Sequence, residues 1–355
     1  MVMEKRGRYC FACVLIAIAF FAGTAQPAQK KPTTAAELAF YEGADRQQLL
    51  EEGARKEGKL TLYTTGILTQ TVRPKVAAFQ KKYPYIKVEI WRAGTAQLLP
   101  KVFEEYLAGQ HVVDIIEISQ GGELSLEERG LLQPFNSANL AFIEEGALRK
   151  APRGVFAAGH YESGYGLGYN TKFITKAELP KTHKDLLDPK WQGKGKVAIS
   201  GDTGANWLGT LLATYGEDFV RKMAKQDFAV QIVAPAALRD MLINGEYVLS
   251  PTIADSHVAE SKKKGAPVEW LAMEPVYILL GQILLPKYPA NPHAALLFID
   301  FDLTKETGEL YKATGYDSTR KDVSGEKAYK KYYGPFSTKQ YSQWNELFKE
   351  LFLKQ

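Results

Sequence analysis

Cysteine is nearly absent from this 355-residue chain: there are two, Cys10 and Cys13, both near the N-terminus. With those two set aside, disulfides, thiol nucleophiles and cysteine-ligated metals are excluded from the body of the protein. Histidine is also scarce. His111, His160, His183, His257 and His293 are scattered, with no His-x-His or His-Glu-x-x-His spacing. No Gly-x-Ser-x-Gly elbow occurs. Gly164-Tyr165-Gly166-Leu167-Gly168 lacks the spacing of a nucleotide-binding glycine loop, and paired acids such as Glu144-Glu145 read as solvated helix faces. The residues therefore point away from an enzyme and from any cofactor. Basic runs are missing too. Lys262-Lys263-Lys264 reads as a solvated helix end before Gly265, and the net charge of +5 is modest, which argues against nucleic acid.

Long apolar runs are likewise lacking, with one exception. Lys5, Arg6 and Arg8 precede an apolar stretch at 11–22, followed by Gly23-Thr24-Ala25. This pattern predicts a secretory signal peptide over 1–25. The stretch is short of the ~20 residues that span a bilayer, so no stable membrane insertion is expected after cleavage. Cleavage removes three basic residues and one acid, leaving a net +3 on an exported, periplasmic chain, expected to be a monomer.

What is present is α/β alternation. Residues 26–58 read as a polar linker and a helix over 35–56. Leu60-Thr61-Leu62-Tyr63-Thr64-Thr65-Gly66 alternates apolar and β-prone residues and then breaks into small polar ones, a strand ending in a loop. A helix follows, with Pro74 in its first turn. Strands are predicted over 86–91 and 112–118, separated by a helix opened by Thr95. Three strand ends are decorated alike: Tyr63-Thr64-Thr65, Gly94-Thr95 and Ser119. Right-handed crossovers bring such ends to one edge of a sheet, where ligands sit.

The glycine- and tyrosine-rich run 161–170 predicts the first crossing between two lobes. A second α/β unit opens with a strand over 195–200 and a helix start at Gly201-Asp202-Thr203-Gly204-Ala205, a geometry in which backbone N–H groups can hold an anion. Further strands are expected over 247–250 and 268–271, with 251–254 entering a helix. Glu274 lies where the chain returns to the first lobe. Helices are predicted from Asn291-Pro292 and from Ser337. The expected division is 1–25 signal peptide, 26–58 linker and helix, 59–160 lobe one, 161–272 lobe two, and 273–355 back in lobe one.

The segments Leu60-Thr61-Leu62-Tyr63-Thr64-Thr65, Gly130-Leu131-Leu132-Gln133-Pro134-Phe135, Gly166-Leu167-Gly168-Tyr169-Asn170-Thr171-Lys172 and Leu186-Leu187-Asp188-Pro189-Lys190-Trp191 occur in this order. So do Gly245-Glu246-Tyr247, 263–268 and 292–301. Together the chain resembles the extracellular solute-binding proteins of ABC transporters, in the group that includes ferric-ion binders. The resemblance implies a two-lobed, type II-like periplasmic-binding-protein fold, each lobe a mostly parallel sheet flanked by helices. It also implies a small-molecule ligand between the lobes and an ABC permease as partner. Ferric binders of this group carry an adjacent tyrosine pair in lobe two, where this chain has Ala254-Asp255-Ser256-His257. A ferric site would have to use Tyr63, Asp255 and His257.

The residues thus predict capture of a small anionic or zwitterionic organic solute, with ferric binding or an exported enzyme as alternatives. Tyr63, Thr64, Thr65, Gly94, Thr95, Ser119, Tyr161, Thr203, Gly204, Ala205, His257 and Glu274 are the candidate contacts.

Overall fold

Alternation in residues 59–64 puts Leu60 and Leu62 on a buried face, and their strand belongs to a large sheet that also takes in the long strands Val155–Asn170 and Val276–Leu284. The computed structural model describes residues 31–325 and 327–353, so the expected signal peptide lies outside the described residues. Strands β1 (Lys59–Thr64), β2 (Lys87–Arg92) and β3 (Ile115–Ser119) are parallel, with Tyr63 opposite both Trp91 and Ile116. The helices Arg73–Lys82 and Thr95–Leu107 are the crossovers.

Two long strands then carry the chain between separate hydrophobic cores. Val155–Asn170 begins in a core with Val155 and Ala158 and ends in another with Leu167 and Tyr169. Val276–Leu284 follows Met273 of the second core and contributes Val276, Ile278 and Ile283 to the first. The two are antiparallel, with Tyr165 opposite Tyr277 and Tyr161 opposite Gly281. Among the described residues no helix is long and apolar enough to cross a membrane.

Several expectations change. The helix over 35–56 is two helices, Ala35–Ala39 and Arg46–Glu57, broken at a segment containing Gly43. Segment 251–254 continues a strand, Leu249–Ala254, before the helix Asp255–Lys263 begins. It pairs antiparallel with the first crossover, Ala254 against Tyr165, and that pairing overrides the helix signal of its Pro-Thr start. The second lobe is therefore mixed rather than mostly parallel. Among the described residues, Ala198–Ser200 and Ala229–Gln231 are the strands that pair in parallel there, while Val268–Leu271 runs antiparallel to the crossover. The C-terminal helix Thr338–Phe348 places Phe348 in the second core, not the first, and lays Trp344 against Gly209 of the helix Gly201–Tyr215.

Candidate functional site

The ends of β1–β3 do share an edge, but their side chains diverge. Tyr63 is buried in a cluster with Leu98 and Val102. Its hydroxyl donates to Glu105 at 2.8 Å and its ring lies 5.0 Å from Trp91. Burial, then the Glu105 carboxylate, push its phenol up to about 12. Thr64 faces the opposite side of the strand, is fully buried, donates to Glu117 at 3.0 Å and accepts the Gly66 N–H at 2.9 Å. Strand alternation sends these two neighbours into the interior of lobe one in opposite directions. Thr65 and Ser119 stay half-buried at the edge, their hydroxyls 3.4 Å apart, and the Ser119 N–H donates to Thr65 at 3.1 Å. Gly94 has open space at its α-carbon, and Thr95 is the first helical residue with Gly94 as cap.

Beneath Thr64 lies a buried cluster of Glu117, His160 and Asp302, close enough to hold a cation. The chain supplies one: the Lys75 ammonium pairs with Glu117 and, at 3.4 Å, with Asp302. Asp302 also bonds His160 and accepts from Tyr311 at 2.7 Å.

At the crossovers the rings gather. Tyr161 packs 4.8 Å from Tyr316 and 5.1 Å from Tyr311. A Cβ at Gly281 would sit 2.1 Å from the Tyr161 ring, so this strand needs glycine there. Tyr165 and Tyr277 lie 5.6 Å apart. Among the described residues several buried side-chain polar atoms have no hydrogen-bond partner, and Gln120 Oε1, Thr203 Oγ1, Asn206 Oδ1 and the Tyr277 hydroxyl are among them. Thr203 and Asn206, one turn apart on the helix Gly201–Tyr215, are each 8 % exposed. Such orphaned groups are rare in folded proteins because each carries a desolvation penalty of about 1–3 kcal/mol.

The other lobe-two candidates differ. Gly204 lies against Phe348 of the C-terminal helix, with a hypothetical Cβ 2.2 Å from that ring, and Ala205 belongs to the second core. His257 is half-buried beside Arg239; burial and then the Arg239 charge push its imidazole down to about 4. Glu274 is exposed, and its carbonyl accepts from Tyr215 at 3.1 Å. Asp255 accepts from Ser163 at 2.8 Å and from the N–H groups of Gly164 and Ser256. The three residues of the ferric reading are thus bonded apart: Tyr63 to Glu105, Asp255 to Ser163, and His257 through its carbonyl to Arg239. Hydrogen bonds join the two sides directly: Gln70 donates to Glu260 at 3.1 Å, and Lys263 donates to the Ala313 carbonyl at 3.5 Å.

Gln120, Asp202, Asn206, Tyr277, Tyr316 and Gln70 were not singled out from the sequence. For Tyr165, also outside the candidate set, a signal existed. Tyr161 and Tyr165 are spaced by four, and on an extended strand that puts both on one face.

Gln120 also lines a cavity with Glu123, Arg149, Gln282 and Tyr333. Glu123 is buried, and burial pushes its carboxyl up to about 7 despite the Gly121 N–H bond and the Arg149 charge. A raised carboxyl contributes full stability below its ordinary range and loses it as pH rises through the folded value. Glu123→Gln is expected to hold its urea midpoint better than the unsubstituted protein between pH 5 and pH 8. The difference should approach about 3 kcal/mol in favour of the variant at the upper end. Parallel pH curves for the two proteins would show that Glu123 ionises without cost.

Two α/β cores joined by paired crossover strands define a solute-binding architecture. The sequence pattern of the family described as "Bacterial extracellular solute-binding protein" matches residues 75–335. The chain belongs to this family, whose members bind small ligands outside the cytoplasm and deliver them to ABC permeases. An uncharacterized protein of Haemophilus influenzae is 28% identical over 276 residues, covering 72% of this chain and 76% of that one. Iron-bound HitA from Pseudomonas aeruginosa superposes with a TM-score of 0.67 at 20% identity, over 82% of this chain and 99% of that one. AfuA from Actinobacillus pleuropneumoniae, with fructose-6-phosphate bound, gives 0.65 at 20% identity, over 84% and 99%. These likenesses establish the fold; one of the two holds iron and the other a sugar phosphate, so the fold leaves the ligand open.

Proposed function

We propose that this protein captures a small polar organic solute between its lobes, against Tyr165 and Tyr277, and presents it to an ABC permease. The observation that carries this reading is the set of orphaned buried polar atoms. Gln120 comes from lobe one, Thr203 and Asn206 from lobe two and Tyr277 from a crossover, and a bound solute would satisfy all four. The Gln70–Glu260 bond supports a nearly closed pair of lobes, since it links the segment before Arg73–Lys82 to the helix Asp255–Lys263. The ferric alternative loses support because Tyr63 turns into lobe one.

The test is thermal stabilisation by a panel of metabolites. A solute at a hundredfold excess over its Kd should add about 2.7 kcal/mol. The double variant Thr203→Val, Asn206→Leu should abolish most of that gain while folding normally, since it replaces orphaned polar atoms with apolar ones of similar size. Full retention of the shift would move the site elsewhere, and turnover of the stabilising solute would favour an exported enzyme.

A further inference from the structure

One buried polar side chain lies outside the set that the captured solute would satisfy. Gln282 is on Val276–Leu284, a strand otherwise made of apolar residues, a glycine and Tyr277. It is 3 % exposed, and its Oε1 has no hydrogen-bond partner among the described residues. An apolar side chain of that size would fit the strand without leaving a polar group dry, so the carboxamide calls for a partner.

The side chain lines a cavity of about 360 Å³. Leu280 and Gln282, two residues apart on the strand, form one wall. Gln120 joins them there. Its N–H donates to the Leu280 carbonyl at 3.0 Å, and its own Oε1 is likewise buried and unpartnered. Glu123, from the helix after β3, is the third polar group, 2 % exposed and accepting the Gly121 N–H at 2.6 Å. Leu148, Tyr333, Pro335 and Phe336 supply ring and aliphatic surface. These last residues are held in place. The Tyr333 hydroxyl donates to Glu144 at 2.6 Å, its ring fills the space where a Cβ on Gly146 would lie 2.5 Å away, and the Phe336 carbonyl accepts from Arg149. The lining takes no residue from 161–272, whereas the cleft between the lobes needs Thr203 and Asn206.

We propose that this cavity is a second binding site, separate from the cleft, and that it takes a neutral polyhydroxylated molecule of about the size of a monosaccharide.

The charges select the class. Both bases of the lining are committed: Arg149 forks onto Glu127 at 2.7 and 3.1 Å, and Lys150 pairs with Glu145. No free base is left to hold an anion. A cation fares no better, because the Arg149 guanidinium shares the lining, and burial pushes the Glu123 carboxyl up to about 7, which leaves it partly protonated at neutral pH. Hydroxyl groups match what remains. A carboxamide offers an acceptor and two donors, and a hydroxyl answers either. Two carboxamides, a carboxyl and apolar faces for C–H surface are the few polar groups on an apolar wall that fix a small molecule's orientation, and the volume is near the lower end for such sites.

The test is calorimetric titration of the full exported chain, unfolded and refolded to strip any carried molecule. The neutral probes are glucose, mannitol and myo-inositol; the charged ones are citrate and choline. At least one neutral probe is expected to bind. Gln282→Leu should weaken it by about tenfold, the loss of one or two hydrogen bonds. The lobe-two pair Thr203→Val, Asn206→Leu should leave it within about twofold. Because Gln282 Oε1 has no partner to lose, the ligand-free melting temperature of Gln282→Leu should not fall. Should that variant fold poorly, Phe336→Ala, at an exposed position of the lining, gives the same readout. Amide hydrogen exchange locates the probe, with protection expected at 279–284 and 333–336. Binding that survives Gln282→Leu overturns the second site; if it falls with the lobe-two pair instead, the molecule sits in the cleft and solute capture stands. Loss in both variants means one molecule spans cleft and cavity, which overturns the separation. Binding of citrate or choline alone, lost in Gln282→Leu, overturns the neutral class. If no neutral probe binds at millimolar concentration, water alone satisfies the two carboxamides and the inference falls, while the capture reading keeps its own test.

Discussion

Lys75→Met is expected to lower the unfolding free energy by about 3–5 kcal/mol, the cost of leaving buried charges without their partner. Lys75 is 1 % exposed and stands between the carboxylates of Glu117 and Asp302. Burial alone would raise Asp302; the charges of His160 and Lys75 and the hydrogen bonds with His160 and Tyr311 instead hold it near 2. A carboxyl held that low contributes stability above its ordinary value near 4 and loses it as pH falls toward 2. In Lys75→Met that acid limb should shrink, because Asp302 keeps only His160 and Tyr311. Urea unfolding at pH 7 and at pH 4 measures both effects. Adding Glu117→Gln to Lys75→Met should recover part of the loss by removing one unpaired charge. A single-variant loss below 1 kcal/mol would show that water or a rearrangement neutralises the cluster. The consequence reaches the strand ends of β1 and β3, since Glu117 receives the Thr64 hydroxyl and its carbonyl receives the Thr65 N–H.

The cluster also marks the limit of what the sequence reveals. The strands β1–β3 were legible because their alternation is local, and so was the glycine-rich crossover, because glycine and tyrosine together mark a strand that crosses between packed bodies. The direction of individual side chains was not. Thr64 and Thr65 look equivalent in sequence, yet one is committed to Glu117 and the other remains at the edge. Only the distant β3 decides between them. Gly204 shows the same limit. A glycine at a helix start reads as an anion-binding backbone, but this one gives room to Phe348 from the far end of the chain. Segment 251–254 became strand rather than helix because the first crossover offered it a partner. Local signals fixed the elements, and non-local pairing decided which face became the candidate site.

Trp344→Ala should match the first loss, at about 3–5 kcal/mol, but at the contact between the C-terminal helix and the helix Gly201–Tyr215. Trp344 is 2 % exposed, and its ring lies where a Cβ on Gly209 would be, 2.0 Å away, while Phe348 occupies the same position at Gly204. The helices Thr338–Phe348 and Gly201–Tyr215 thus meet through two glycines, an approach that no larger residue permits without movement. Gly209→Leu should therefore be at least as damaging as Trp344→Ala, through overpacking instead of a cavity. The C-terminal helix and the residues just before it also hold lobe one: Thr338 donates to Glu128, and the Phe336 carbonyl accepts from Arg149 at 3.0 Å. Thr338 is bonded to Glu128 and Phe348 sits in the second core, so loosening the helix should weaken the coupling between the cores as well as the second core itself. Denaturant unfolding followed by tryptophan fluorescence and far-UV dichroism separates these effects. If the cores unfold together, the losses from Lys75→Met and Trp344→Ala should add to within about 0.5 kcal/mol, because the two sites share no partner. If Trp344→Ala splits the transition in two, with Lys75→Met then moving only one of them, the C-terminal helix is what makes the two lobes fold as one unit.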